Sequence, residues 1–350
     1  EWREVARAHL QTHLHYNPGP LDLQAETLRT VDRGEFTLEF VAFNTSPWSR
    51  VNGCLLLPKE SRPVPALVVF HAWGGPMCWG KERIVDTGRD HPSLREFREI
   101  AYGGRYLADE FAKRGYAVIV IDAHHFGDRA PRGRSNVDQE VNPLVGIPDQ
   151  WDAFDLTEEE VRKLHDTLCE KLYLGVRELN WAGTTWTGLN FWDDSRCIDY
   201  LKSRPEIDPD RIGCTGLSGG GWRTNILSAL DPRIKAAVSV GWMTTGDYQQ
   251  VFDVYGTVGA FCLLPGVWNR MDVPDLTIMS APCASMVVVG REDDHFPPEA
   301  QDAANAAIRA GYEWAGKSEN FRRFNPPKPH SYDLEIQEAA FEWFARHLQT

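Results

Sequence analysis

The 350-residue chain has a deficit of positive charge and no long apolar run. Lysine and arginine number 37 against 50 aspartate and glutamate residues, which gives a formal net charge of −13. This balance disfavours nucleic acid and anionic membrane surfaces as partners, because both attract clustered basic side chains. No uninterrupted apolar stretch reaches about 18 residues, so the sequence predicts no membrane-spanning helix.

Paired cysteine motifs are also missing. The seven cysteines are scattered, odd in number and never spaced as CxxC. We interpret them as reduced core thiols, which favours a reducing, cytoplasmic compartment. The charged opening EWREVARAHL shows no signal peptide, but the chain also lacks an initiator methionine, so secretion after removal of a leader stays open.

Alternating strand and helix patterns predict an α/β protein. Short apolar runs such as ALVVF, AVIVI and SMVVV are typical of strands buried in a parallel sheet that helices cover on both faces. A single domain over residues 1–350 is expected, with residues 1–34 as an N-terminal helical extension. Segments 76–102, 130–187 and 243–283 follow strand ends, where α/β sheets place their ligands, so we expect loops or a cap over the site.

The stretch GLSGG places Ser218 between a predicted strand and a predicted helix. A sharp strand-to-helix turn with small neighbours projects a serine hydroxyl out of the backbone, as in a nucleophile elbow. We therefore interpret Ser218 as a nucleophile rather than as part of a plain glycine-rich turn. Such a hydroxyl needs a base to remove its proton.

His330 is the strongest candidate base among the eleven histidines, because it lies in a proline-rich loop between the last predicted strand and the last helix. Asp293 follows a buried strand in the run REDDHF, where a carboxylate could orient His330 and stabilise its cationic form. Asp294 is the second choice, and Asp247 is a further candidate. The chain order nucleophile, acid, base fits the α/β-hydrolase pattern.

An acyl-transfer site also needs N–H donors for the oxyanion that develops on the substrate. The Gly219 amide, directly after the nucleophile, is one candidate. The other is the Trp73 amide, in the loop FHAWGG after an earlier strand. We interpret the nearby His71 as structural.

Residues that contact the substrate are less well defined by the sequence. The chain has 13 tryptophans, and the aromatic faces of Trp242 and Trp268 suit sugars and aromatic esters, although core packing is an ordinary role for tryptophan. His124 could line the site. Arg129 could bind a substrate carboxylate or brace its own loop. No metal ion and no organic cofactor is expected.

The motifs HAWGG, RGYAVIVIDAHHFGDR, IGCTGLSGGG, MVVVGREDDHFPPE and KPHSYDLEIQEAAFEWF together resemble the α/β-hydrolase superfamily, specifically acetyl xylan esterase-like and dienelactone hydrolase-like carboxylesterases. The resemblance covers roughly residues 50–348. It implies a mostly parallel eight-stranded sheet and a Ser-His-Asp triad, which falls on Ser218, His330 and Asp293. Two features depart from the pattern: Ala72 replaces a usual glycine of the oxyanion loop, and serine replaces the cysteine of true dienelactone hydrolases.

The sequence therefore predicts a serine carboxylesterase that acts on small esters, with acetylated carbohydrates as candidate substrates. Three alternatives stay open: a serine peptidase for short peptides, a lactonase or xenobiotic ester hydrolase with the same machinery, and a non-catalytic binding protein. The last would be expected to lose part of the triad, whereas every part is present here. The oligomeric state is not predicted.

Overall fold

The computed structural model describes residues 1–19, 21–61, 63–133, 150–251, 262 and 264–349. Within these residues the chain forms nine strands and ten α-helices. The strands are β1 (Glu26–Asp32), β2 (Phe36–Ser46), β3 (Ser49–Pro58), β4 (Val64–Phe70), β5 (Ala117–Ile121), β6 (Ile207–Leu217), β7 (Ile234–Val240), β8 (Ala284–Val288) and β9 (Phe321–Phe324). The helices are α1 (Trp2–Leu14), α2 (Pro92–Tyr102), α3 (Leu107–Lys113), α4 (Glu158–Trp181), α5 (Trp186–Lys202), α6 (Gly219–Leu230), α7 (Gly246–Val251), α8 (Val273–Ser280), α9 (Pro298–Trp314) and α10 (Leu334–Leu348).

All nine strands join one mixed sheet in the order β1-β2-β3-β5-β4-β6-β7-β8-β9. The pairs at the β1 end are antiparallel, and every pair from β5 to β9 is parallel. Phe70 pairs with Gly216, and Leu217 pairs with Val240. The carboxyl ends of β4, β6 and β7 therefore lie side by side, and the loops that follow them meet at one edge of the sheet.

The sheet has one strand more than the eight that were predicted, and the additional strand is β1. It lies inside residues 1–34, which were expected to be a helical extension. Six of its seven residues are exposed, so it lacks the alternation of buried apolar and exposed polar residues by which a strand is recognised. The expected mostly parallel sheet with helices on both faces is confirmed.

The two faces of the sheet are covered by different helices, as the alternation of side chains along β4 shows. Leu67 and Val69 belong to the apolar cluster that also contains residues of α3 and α10. Val68 and Phe70 belong to the cluster that contains residues of α5 and α6. Both faces of this central strand are buried, which explains its unbroken run of apolar residues.

Helix α1 packs on its own chain. Its Leu10 and Leu14 are buried, and Arg7 donates to the carbonyl oxygens of Ala229 at 2.9 Å and Met279 at 2.8 Å. None of the described helices combines the length and the apolar character that a membrane crossing requires.

The segments predicted as loops or a cap contain regular structure. Helix α2 lies within 76–102, α4 within 130–187, and α7 and α8 within 243–283. Residues 134–149, 252–261 and 263 lie outside the described part of the chain. That these segments cover the site therefore stays a prediction.

Candidate active site

Ser218 lies at a sharp turn between β6 and α6. Its backbone has φ 59° and ψ −119°, a conformation that is strained for any residue with a side chain. The Ser218 N–H donates to the Val240 carbonyl at 2.8 Å, and the Ser218 carbonyl accepts from the Trp222 N–H at 2.9 Å. A Cβ atom on Gly220 would lie 2.6 Å from the Phe70 carbonyl oxygen, so only glycine allows the helix to start this close to β4.

His330 and Asp293 form a hydrogen-bonded pair beyond the ends of β9 and β8. Nδ1 of His330 lies 2.7 Å from Oδ2 of Asp293, whose side chain is 0% exposed, whereas the His330 side chain is 20% exposed. Burial alone would raise the pKa of Asp293, but hydrogen bonds from His295 and His330 outweigh it and lower that pKa to about 2. The alternatives Asp294 and Asp247 are exposed, and neither bonds to His330.

Direct contact between two loops holds this pair in place. The Arg291 N–H donates to the Pro326 carbonyl at 2.8 Å, and the Glu292 N–H donates to the Lys328 carbonyl at 3.1 Å. A Cβ atom on Gly290 would lie 2.0 Å from the Lys328 oxygen, so glycine is required for this approach. The loop that carries Asp293 and the loop that carries His330 are thus fixed against each other.

His330 also lies beside the serine turn. A Cβ atom on Gly241 would lie 2.8 Å from Cε1 of His330 and 3.1 Å from a methyl carbon of Leu217, the residue before Ser218. Ser218 and His330 do not form a direct hydrogen bond in this structure. Such bonds often tighten only when substrate is present.

The two residues predicted as oxyanion donors are neighbours. A Cβ atom on Gly219 would lie 2.7 Å from the Cβ atom of Trp73. Trp73 is half-buried, and its ring packs on Trp186 and Phe126 with centroid distances of 4.4 and 5.0 Å. Trp186 begins α5 and lies within segment 130–187, whose tryptophans were among the candidate aromatic contacts for a substrate.

A buried arginine fixes the loop that contains Trp73. Nη1 of Arg83 donates to the carbonyls of Ala72 and Gly74, both at 2.6 Å, and Nη2 donates to those of Gly75 at 3.2 Å and Pro76 at 2.7 Å. Burial lowers the pKa of Arg83 to about 10. No sequence pattern pointed to this residue, because the contact exists only in the folded loop.

His71 has both ring nitrogens engaged. Its Nε2 accepts the Ala123 N–H at 3.1 Å, and its Nδ1 lies 2.8 Å from the Ala72 carbonyl. Burial lowers the pKa of His71 well below its usual value, which keeps the ring neutral. These contacts fit the structural role expected for it.

His124 and Arg129, which follow β5, both contact the buried carboxylate of Asp193. No sequence pattern had pointed to Asp193. Arg129 Nη2 lies 2.6 Å from Oδ2 of Asp193, and His124 Nε2 lies 3.2 Å from the same oxygen. Arg129 Nη1 also donates to the Asp122 carbonyl at 3.1 Å. Burial, with the nearby Arg129, lowers the pKa of His124 to about 4. Arg129 thus braces its own loop, which was one of its two predicted roles, and substrate contact by either residue stays a prediction.

Trp242 and Trp268 belong to a row of aromatic rings that leads to His330. Trp242 is buried, and its ring centroid lies 4.5 Å from that of Trp222 and 5.5 Å from that of Phe296. Trp268 is half-buried at the far end, 6.2 Å from Trp222. The Trp242 ring is therefore buried between Trp222 and Phe296, whereas Trp268 keeps part of its surface accessible.

His295 is a further residue of the site that no pattern singled out, although it stands two positions after Asp293. Its Nδ1 lies 3.4 Å from Oδ1 of Asp293, and its backbone N–H donates to that oxygen at 2.9 Å. The contact with Asp293 raises the pKa of His295. Donor atoms of Asp293, His295 and His330 lie within 4.8 Å of one another, the spacing of a metal site, which no other group in the described residues has.

Comparison with known proteins identifies the fold. No family model matches the chain. YtaP of Bacillus subtilis (strain 168), whose name assigns it provisionally to the hydrolases, is 24% identical over 334 residues, which cover 95% of this chain and 95% of YtaP. A solved glucuronoyl esterase from Solibacter usitatus has a TM-score of 0.65 and 16% identity, over 98% of this chain and 91% of that one. An acetyl xylan esterase from Thermoanaerobacterium sp. JW/SL YS485 has a TM-score of 0.54 and 16% identity, over 99% of this chain and 92% of that one.

The sheet of mostly parallel strands with helices on both faces agrees with these likenesses. The chain has the α/β-hydrolase fold, as the resemblance implied.

Proposed function

We propose that the protein is a serine carboxylesterase that hydrolyses small esters through an acyl-enzyme. The observation that supports this most strongly is the buried Asp293 carboxylate on Nδ1 of His330, next to the strained turn of Ser218. The named activities of the structural neighbours support esterified carbohydrates as the substrate class.

In the proposed reaction, Nε2 of His330 takes the proton of the Ser218 hydroxyl as its oxygen attacks the ester carbonyl carbon. The Asp293 carboxylate accepts a hydrogen bond from Nδ1–H of His330 and stabilises the imidazolium that forms. The amides of Gly219 and Trp73 donate to the oxyanion. When the intermediate collapses, Nε2 protonates the leaving alcohol and Ser218 keeps the acyl group.

Water then releases the acid by the reverse route. His330 takes a proton from the attacking water and returns it to the Ser218 oxygen as the acyl bond breaks. The low pKa of Asp293, about 2, keeps its carboxylate charged throughout both half-reactions. Trp73 and Trp268 border the substrate in this proposal, because both rings are only half-buried.

The test is a panel of p-nitrophenyl esters from acetate to octanoate, followed by the release of nitrophenol. Ser218→Ala should lower kcat by about a thousandfold or more, whereas Ser203→Ala, at an exposed serine directly after α5, should retain activity. A fluorophosphonate should label the wild type and Ser203→Ala but not Ser218→Ala. Acetylated xylo-oligosaccharides would then test the carbohydrate substrate.

Equal turnover by wild type and Ser218→Ala would contradict the proposal. So would a wild type that neither hydrolyses any ester nor reacts with the fluorophosphonate. Aminoacyl p-nitroanilides distinguish the peptidase alternative, since faster cleavage of these amides than of esters would favour it.

A further inference from the structure

One cavity of the fold is lined by none of the described residues assigned to the proposed reaction. Its volume is about 650 Å³, within the range of small-molecule sites. Strands β1 and β2 form one side, and parts of residues 78–89, 127–132 and 151–154 form the other.

The wall of this cavity combines arginine with aromatic rings. The guanidinium carbon of Arg29 lies 4.1 Å from the ring centre of Phe40, and that of Arg132 lies 3.5 Å from the ring centre of Trp151. Within the part of the chain that the structure describes, neither arginine has a carboxylate within 4 Å. Their charges are therefore available to a bound anion.

The other cations of the wall are already paired. Arg33 lies 3.5 Å from Asp86, and Arg89 lies 2.6 Å from Asp152. Lys81 contacts three carboxylates at 2.8 to 3.0 Å. Among the described cations of the wall, Arg29 and Arg132 are thus the two that have no carboxylate within 4 Å.

We propose that this cavity binds a small organic carboxylate with a flat face, with Arg132 as the main partner of the carboxylate and Arg29 as the second. Arginine suits this task because its fork of donors matches the two oxygens of a carboxylate. The rings of Trp79 and Trp151 would contact the flat face, which an aromatic acid and a sugar acid share. The site does not depend on the proposed hydrolysis.

The test uses the Ser218→Ala protein and isothermal titration calorimetry with benzoate and with D-glucuronate, which distinguish the two sources of the carboxylate. Benzamide and methyl glucoside are the uncharged counterparts. At least one acid should bind saturably, with a Kd between about 10 µM and 10 mM, and at least about tenfold tighter than its counterpart.

Arg132→Gln should weaken this binding at least about tenfold, and Arg29→Gln should weaken it less. Arg322→Gln is the matched control, because Arg322 also lies over a ring, that of Phe324, but not in the cavity. Thermal unfolding checks that each variant folds. Absence of saturable binding, equal affinity for the uncharged counterparts, or unchanged affinity in folded Arg132→Gln and Arg29→Gln would overturn the proposal.

Discussion

His295 and His330 lie on opposite oxygens of the same carboxylate, with their ring centroids 4.5 Å apart. The contact with Asp293 raises the pKa of His295, so His295 carries its proton over a wider pH range. His295 thus occupies the carboxylate oxygen of Asp293 that His330 leaves free.

We expect His295→Gln to raise the pKa of Asp293 above about 2, because the hydrogen bond from the His295 side chain is one of the contacts that lower it. Carbon-13 NMR titration of the Asp293 carboxyl group measures this pKa. His9→Gln, on α1, is the control, and an unchanged pKa of Asp293 in His295→Gln would refute this role of His295.

Asp293→Asn and Asp294→Asn form a matched pair that tests which carboxylate orients the base. Asp293→Asn should lower kcat by about 10³- to 10⁴-fold with little change in KM, because the amide can no longer stabilise the imidazolium. Asp294 is exposed, so Asp294→Asn should change kcat by less than about threefold. Comparable losses in both variants, measured by steady-state kinetics, would count against the assignment.

Much of the fold could be predicted because its strands are short, apolar and flanked by turns. Strand β4 is buried along its whole length, and its sequence shows this directly. Strand β1 could not be recognised, since it is an exposed edge strand held by backbone pairing with β2 rather than by burial of its side chains. Backbone pairing leaves no pattern in the side chains.

The residues of the candidate site divide in a similar way, into those that a local sequence pattern predicts and those that only tertiary contacts reveal. Ser218, Asp293 and His330 each follow a strand, and such positions can be read along the chain. Arg83 and Asp193 act through contacts with residues that other loops or helices bring near, and neither lies in a recognisable motif. Residues whose role depends on tertiary packing alone have no local signature.

Gly219→Ala and Gly74→Ala test the contact between the two proposed oxyanion residues. A Cβ atom on Gly219 would lie 2.7 Å from the Cβ atom of Trp73, so the turn or the loop must move, and kcat should fall by about 10- to 100-fold. A Cβ atom on Gly74, in the same loop, would meet no atom within 4 Å, so Gly74→Ala should stay within about threefold of wild type. A Gly219→Ala variant that keeps the wild-type kcat would argue against an oxyanion site at this contact.

Asp109, on α3, makes stability depend on pH. Its carboxylate is buried, accepts the Asp86 N–H at 3.1 Å, and has its pKa raised by burial to about 7. The unfolded pKa is about 3.9, so between these values the folded state binds more protons, and stability falls as the pH rises.

Asp109→Asn should therefore unfold at a higher temperature than wild type at pH 8, by several degrees, and the difference should shrink towards pH 4. The asparagine retains an oxygen for the Asp86 N–H. Thermal unfolding by circular dichroism measures the effect, with the exposed Asp210→Asn as control. A difference in Tm that does not vary with pH would show that Asp109 is not responsible.

The backbone of the Trp73 loop is held by residues outside it. Arg83 binds the carbonyls of four loop residues, and the Tyr102 hydroxyl accepts the Ala72 N–H at 2.8 Å. Because none of these bonds involves the side chain at position 73, that side chain can change while the path of the backbone persists. Evolution or a designed library can thus vary the side chain at this one position and keep the backbone geometry of the proposed oxyanion donor unaltered.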